Sequence, residues 1–203
     1  MDQFEFFFTF YGLILGLAAA ELLSSIAAFA RARPLRDMEA QTGLLALLTF
    51  LLVCATWIDA WRVRDTFSID IAGMVLPILI AGSYYLAAST VFPREAADFD
   101  DLPGYYARRR RFAVTMLIVA EICVTITYVP AFIRTFTTQP AVFWLYHVPY
   151  NIAIKGSLVA LLLVAGRRAN VGLLVALILL FTIPYWSGGW IGAQIARAHG
   201  YAL

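Results

Sequence analysis

Long apolar stretches recur from one end of this chain to the other and limit its fold more than any other feature. The most informative one covers residues 141–166. It reads Ala-Val-Phe-Trp-Leu-Tyr-His-Val-Pro-Tyr-Asn-Ile-Ala-Ile-Lys-Gly and then runs on, apolar, to Gly166. A helix needs about 20 such residues to cross a bilayer. Six stretches read as spans, at about 6–30, 42–61, 69–92, 112–133, 141–166 and 171–195. The expected fold is therefore all-α: a polytopic membrane protein with a bundle of six transmembrane helices. Residues 1–203 form a single integral membrane domain, and the longest connection is a cytoplasmic loop at about 93–111.

Composition agrees. The 203 residues are 62% hydrophobic and 14% charged, whereas soluble domains run at about 45–50% apolar and about 25% charged. The net charge of +2 and the lack of a basic stripe interleaved with aromatic residues give no reason to expect nucleic acid as a partner. Cys54 and Cys123 lie inside apolar runs and read as small buried residues, not as a disulfide framework or metal knuckle. The N-terminus lacks the basic segment of a cleavable signal peptide.

Basic residues set the expected orientation. Arg31, Arg33, Arg36, Arg94, Arg108, Arg109, Arg110, Arg111, Arg167 and Arg168 fall on one side of the six spans. Arg62, Arg64, Arg134 and Arg197 fall on the other. The positive-inside rule puts the larger group in the cytoplasm. The expected location is the cell (inner) membrane, with both termini outside the cytoplasm. Trp57, Trp61, Trp144, Trp186 and Trp190 then all sit near outer span ends, where amphipathic rings favour the interface.

In the 93–111 connection, Glu95, Asp98, Asp100 and Asp101 precede Arg108, Arg109, Arg110 and Arg111. The arginines could meet anionic lipid headgroups, but a topology anchor with partly paired acids explains them as well. Ala20-Glu21 and Ala120-Glu121 are each followed by a hydroxyl residue and Ile at matching positions. This short match hints at two inverted three-helix halves, a frequent transporter device. Gly12 with Gly16, and Gly188 with Gly192, permit close helix approach, and a homo-oligomer stays open.

Few polar groups sit deep in the spans. Lys155 is the sole lysine, and with His147 and Asn151 it recurs every fourth residue, one stripe on a helix. A charge at mid-depth costs at least about 2.5 to 3.5 kcal/mol. At 1.5 Å per residue, Glu21, Glu121 and Lys155 come out within about 5 Å of one depth. The economical arrangement pairs Lys155 with one carboxylate and leaves the other protonated or solvated. The candidate ion or proton site is thus Glu21, Glu121, Lys155, Asn151 and His147, with a structural ion pair as the plain alternative. Asp59, three residues before Arg62, reads as an interfacial anchor.

No cofactor or metal is expected. Haem would need a second histidine, and only His199, in the tail, is left. Retinal on Lys155 is equally remote, because six spans do not fit the rhodopsin plan. Pro77, Pro130, Pro149 and Pro184 mark four spans, and each frees a backbone carbonyl. The run from Pro184 to Gly189 looks able to break the last helix. No catalytic motif occurs, so an enzyme is not expected. The leading expectation is proton- or ion-linked transport or conduction through the polar layer. The alternative is a non-catalytic membrane subunit or scaffold.

Overall fold

The computed structural model describes residues 3–62, 71–94, 99–186 and 189–201. Among them there are helices and turns and no strands. Helix α1 is Gln3–Ala32, α2 Ala40–Arg62 and α3 Ile71–Val91. Then come α4 (Leu102–Thr127) and α5 (Val129–Thr138). The next helical stretch starts as α6 (Pro140–Val142), passes through a π turn at Phe143–His147 and continues as α7 (Val148–Leu163). Helices α8 (Arg167–Trp186) and α9 (Trp190–Ala198) complete the chain.

Four described helical segments are long and apolar enough to cross a membrane: Phe7–Ala32, Ala40–Trp61, Gly73–Val91 and Arg167–Pro184. A fifth is present if α4 and α5 form one span, bent by 52°. The expected count of six is not reached by unbroken helices. The stretch expected at 141–166 is helical, but the π turn divides it, and α7 has only 16 residues.

The breaks have local causes. Pro130 has no N–H for the carbonyl four residues back, and the chain bends beside it, where the Tyr128 N–H turns to the carbonyls of Val124 and Thr125 at 3.2 and 3.1 Å. Pro149 follows the π turn directly, and the Val148 N–H reaches back five residues to the Phe143 carbonyl. That wider turn makes room where a proline ring would crowd the preceding helix. Helix α8 ends at Trp186, and Gly189, at φ 79°, precedes α9. A left-handed residue stops a helix, and glycine takes it without penalty. Ser187 and Gly188 lie outside the described residues.

Helix α3 packs between α1 and α4, α2 lies on α8, and α7 lies between α4 and α8. Leu15, Leu48, Leu52, Tyr84, Leu117 and Leu174 belong to one continuous core. The outer faces are apolar as well, with Leu13 64% and Leu163 78% exposed. Helices apolar on every side suit lipid as the surrounding solvent, and apolar helices of this length point to a membrane protein. The two halves do not pack equivalently: α1 lies along α3, whereas α4 has no comparable contact with α8 among the described residues.

The three arginine-rich connections gather at one end of the bundle. The expected loop at 93–111 is shorter than the sequence suggested, because α4 already begins at Leu102. The Asp101 carboxylate accepts from the Gly104 N–H at 2.9 Å, and Pro103 occupies the first turn, a common helix start. A Cβ at Gly104 would collide with that carboxylate. The four arginines are therefore helical and diverge. Arg110 is buried and donates to the Val164 carbonyl. Arg108 pairs with Asp101 at 3.5 Å, and Arg109 and Arg111 are exposed. Arg110 is thus committed to the bundle and withdrawn from any headgroup contact. Asp100 pairs with Arg33, while Glu95 and Asp98 lie outside the described residues.

A buried polar cluster closes this end. Glu39 directly precedes α2, its Oε2 accepting from the backbone N–H of Gln41 at 2.6 Å and of Thr42 at 3.3 Å. Its Oε1 lies 3.0 Å from Arg167 Nε. Asn170 Oδ1 accepts from Gln41 Nε2 at 3.0 Å and from the Tyr106 hydroxyl at 2.5 Å. The cluster fastens α2, α4 and α8 together.

Candidate functional site

The His147, Asn151, Lys155 stripe forms as its spacing predicts. Lys155 Nζ donates to Asn151 Oδ1 at 2.6 Å, and Asn151 Nδ2 donates to the His147 carbonyl at 2.9 Å. The stripe lies between two cavities. One, of about 600 Å³, is lined by Lys155, Asn151, His147, Thr125, Phe132 and Phe143. The other, of about 520 Å³, lies towards the bundle interior and has Asn151, His147, Asp59, Glu121, Tyr146 and Tyr150 in its wall.

Glu121, on α4, is 8% exposed. The Tyr84 hydroxyl, on α3, donates to it and accepts from Thr56 Oγ1, on α2, at 3.1 Å. Lys155 and Asp59 both act on Glu121 electrostatically. A buried carboxylate without such company would be costly. Three helices thus meet at one carboxyl, and a fourth, α7, supplies the nearby ammonium.

Glu21 is not part of this arrangement. It pairs with Arg94 at 2.9 Å, and its side chain keeps 23% of its exposure. Depth alone put Glu21 with Glu121 and Lys155. Depth does not record that Arg94, three residues past the end of α3, folds back onto α1.

Asp59 was the residue undervalued from sequence. It is not only an anchor at a helix end, because it faces the cavity that Glu121 lines. A signal existed: Thr56 and Asp59 are three apart and share a helix face, and both line that cavity. The pairing of Asp59 with Arg62 involves a side chain outside the described residues. The aromatic wall had no sequence signal. Tyr128, Phe132, His147, Tyr146 and Tyr150 come from two sides of the broken helices, with neighbouring ring centroids at 6.2, 5.6, 5.2 and 5.8 Å in that order.

No group of three metal-ligating side chains occurs among the described residues. His199 contacts Tyr201 and the Ile195 carbonyl, in the tail segment. Arrangement and composition together define a helical bundle of membrane type with a polar cavity in its interior. Comparison of the chain with protein-family models, curated proteins and solved structures finds no match.

Proposed function

We propose that this protein carries out proton- or ion-linked transport through the site formed by Glu121, Lys155, Asn151 and His147. Asp59 takes the place that Glu21 held in the sequence reading. The observation that carries this reading is the cavity of about 520 Å³ with two carboxyls in its wall. One of them, Glu121, feels the ammonium of Lys155. Ionisable groups inside a membrane bundle tend to mark ion and proton pathways. The Thr56, Tyr84 and Glu121 hydrogen bonds and the Lys155, Asn151 and His147 contacts together offer protic groups along which a proton can move.

The reading includes six spans in the cell (inner) membrane, the last but one formed by the contiguous helical residues 140–163. Both termini lie outside the cytoplasm. Exposed Arg109 and Arg111, with Arg108, lie where anionic headgroups would be. Cysteines introduced one at a time into a cysteine-free background test the orientation. Thr138→Cys should react with an impermeant maleimide added to whole cells, and Ala40→Cys should react only after the cells are opened. The opposite pattern would invert the topology.

Transport is tested in liposomes loaded with a pH-sensitive dye and driven by an imposed potential. The parent should acidify or alkalinise the lumen according to the sign of the potential. Glu121→Gln should abolish that flux, and Glu21→Gln should leave it intact. Parent liposomes no faster than protein-free ones, with sodium or potassium present, would discard transport. They would leave the scaffold reading, in which Glu121 and Lys155 only hold α4 against α7.

A further inference from the structure

We infer that the outer cavity holds a long-chain carboxylic acid, with a carboxyl oxygen accepting from the Lys155 ammonium. This goes beyond the transport reading, whose carrying observation is the inner cavity. The outer cavity, at about 600 Å³, falls in the range of small-molecule pockets. It follows one face of α7, since Val148, Ile152, Lys155, Gly156 and Val159 line it at helical spacing. From Val148 to Val159 that face extends about 16 Å at 1.5 Å per residue, which suits a chain better than a compact molecule. Ile152, Gly156 and Val159 are exposed, so the cavity opens on the side of α7 that faces lipid. A Cβ added at Gly156 would meet nothing within 4 Å, so the space beside it is open.

Lys155 brings a formal charge to a wall whose other polar members are Thr125, His147 and Asn151. An ammonium carries three N–H donors. Among the described residues Lys155 spends one of them, on Asn151 Oδ1 at 2.6 Å. Glu121 acts on Lys155 electrostatically, but it lines the inner cavity and not the outer one. What the outer cavity lacks is therefore an acceptor, not a counter-charge. A carboxyl supplies one, charge-assisted when ionised, while its chain covers the apolar wall. A phospholipid keeps its headgroup at the interface, whereas Lys155 lies about 12 Å inside the Leu163 end of α7. An alkylammonium would set a second cationic donor against the first. A plain hydrocarbon would leave the ammonium N–H groups unfilled.

The test uses palmitic acid carrying a mid-chain diazirine, irradiated in liposomes that hold the purified full-length protein, with adducts mapped by mass spectrometry. Adducts should fall on α7 between Val148 and Val159 and should saturate. Unlabelled palmitic acid should compete, and hexadecylamine should not. Methyl palmitate should need about five- to thirtyfold more, as loss of a charge-assisted hydrogen bond predicts. Lys155→Met should lower labelling of this face by a similar factor. Gly156→Leu should block it by filling the open space. Leucine favours a helix over glycine, so this variant covers the case in which Lys155→Met does not fold. Hexadecylamine competing as well as palmitic acid would overturn the inference and leave a groove filled by bilayer lipid. Labelling unchanged in a folded Lys155→Met, or in Gly156→Leu, would overturn it too. Glu121→Gln should lose flux and keep the adducts, so the two readings fail separately. Adducts without flux in the parent discard transport alone, and flux without adducts discards the acid alone.

Discussion

Lys155→Met should lower the stability of the protein in detergent by about 2 kcal/mol, and adding Glu121→Leu should restore most of it. Removing one member of a buried pair leaves the other uncompensated and costs about 3 to 5 kcal/mol. The effect falls below that range because Lys155 is only half-buried and no direct ion pair joins it to Glu121, its Nζ donating to Asn151 instead. Replacing both partners by apolar residues can be nearly neutral. Thermal unfolding followed by circular dichroism reads the effect. Glu21→Leu should not rescue, because Glu21 belongs to Arg94 and its loss opens a second deficit. Rescue by Glu21→Leu in place of Glu121→Leu would return to the arrangement that depth alone suggested. A Lys155→Met variant as stable as the parent would mean that Lys155 draws no support from Glu121.

Asn170→Ala should be comparably damaging, at about 3 kcal/mol, through a different mechanism. Asn170 is fully buried, and its Oδ1 accepts from both Gln41 and Tyr106. Truncation leaves two buried donors without an acceptor, at about 1 to 3 kcal/mol each. Adding Tyr106→Phe to Asn170→Ala should recover part of the loss, since one stranded donor disappears. Thermal unfolding in the same detergent checks this, and an Asn170→Ala midpoint equal to the parent's would show that the cluster does not fasten α2, α4 and α8. Neither Asn170 nor Tyr106 lines either of the two cavities. Asn170→Ala that folds at low temperature should therefore keep the flux that depends on Glu121.

Much of the local structure was legible because its causes are local. The expected first two spans, 6–30 and 42–61, fall within α1 and α2, since apolar length reports a membrane helix directly. Pro130 and the Pro184–Gly189 run marked places where helices do break, because a missing N–H or a left-handed residue acts on its own turn. The His147, Asn151, Lys155 stripe follows from helical spacing alone. The start of α4 was misjudged because four consecutive arginines read as a loop. An Asp cap with a following proline outweighs that charge, and Arg108 with Arg110 finds partners once the helix is folded.

The sequence by itself determined the class: all-helical, apolar on every side, with a few ionisable groups far from the chain's charged connections. It also determined two charged members available to any site, Glu121 and Lys155, because with Glu21 they are the charged residues that lie deep in the apolar runs, whereas Asp59 reads from sequence as an interfacial anchor. Only the tertiary structure decided which of them meet. Glu21 and Glu121 have nearly the same local sequence, yet one faces Arg94 at the arginine-rich end and the other faces Tyr84 and Lys155 inside the bundle. The same holds for the ring wall, which joins residues on both sides of two helix breaks. The physical reason is that depth along a helix is set by its own residues, whereas the direction a side chain faces, and what fills the space there, is set by which helices pack against it.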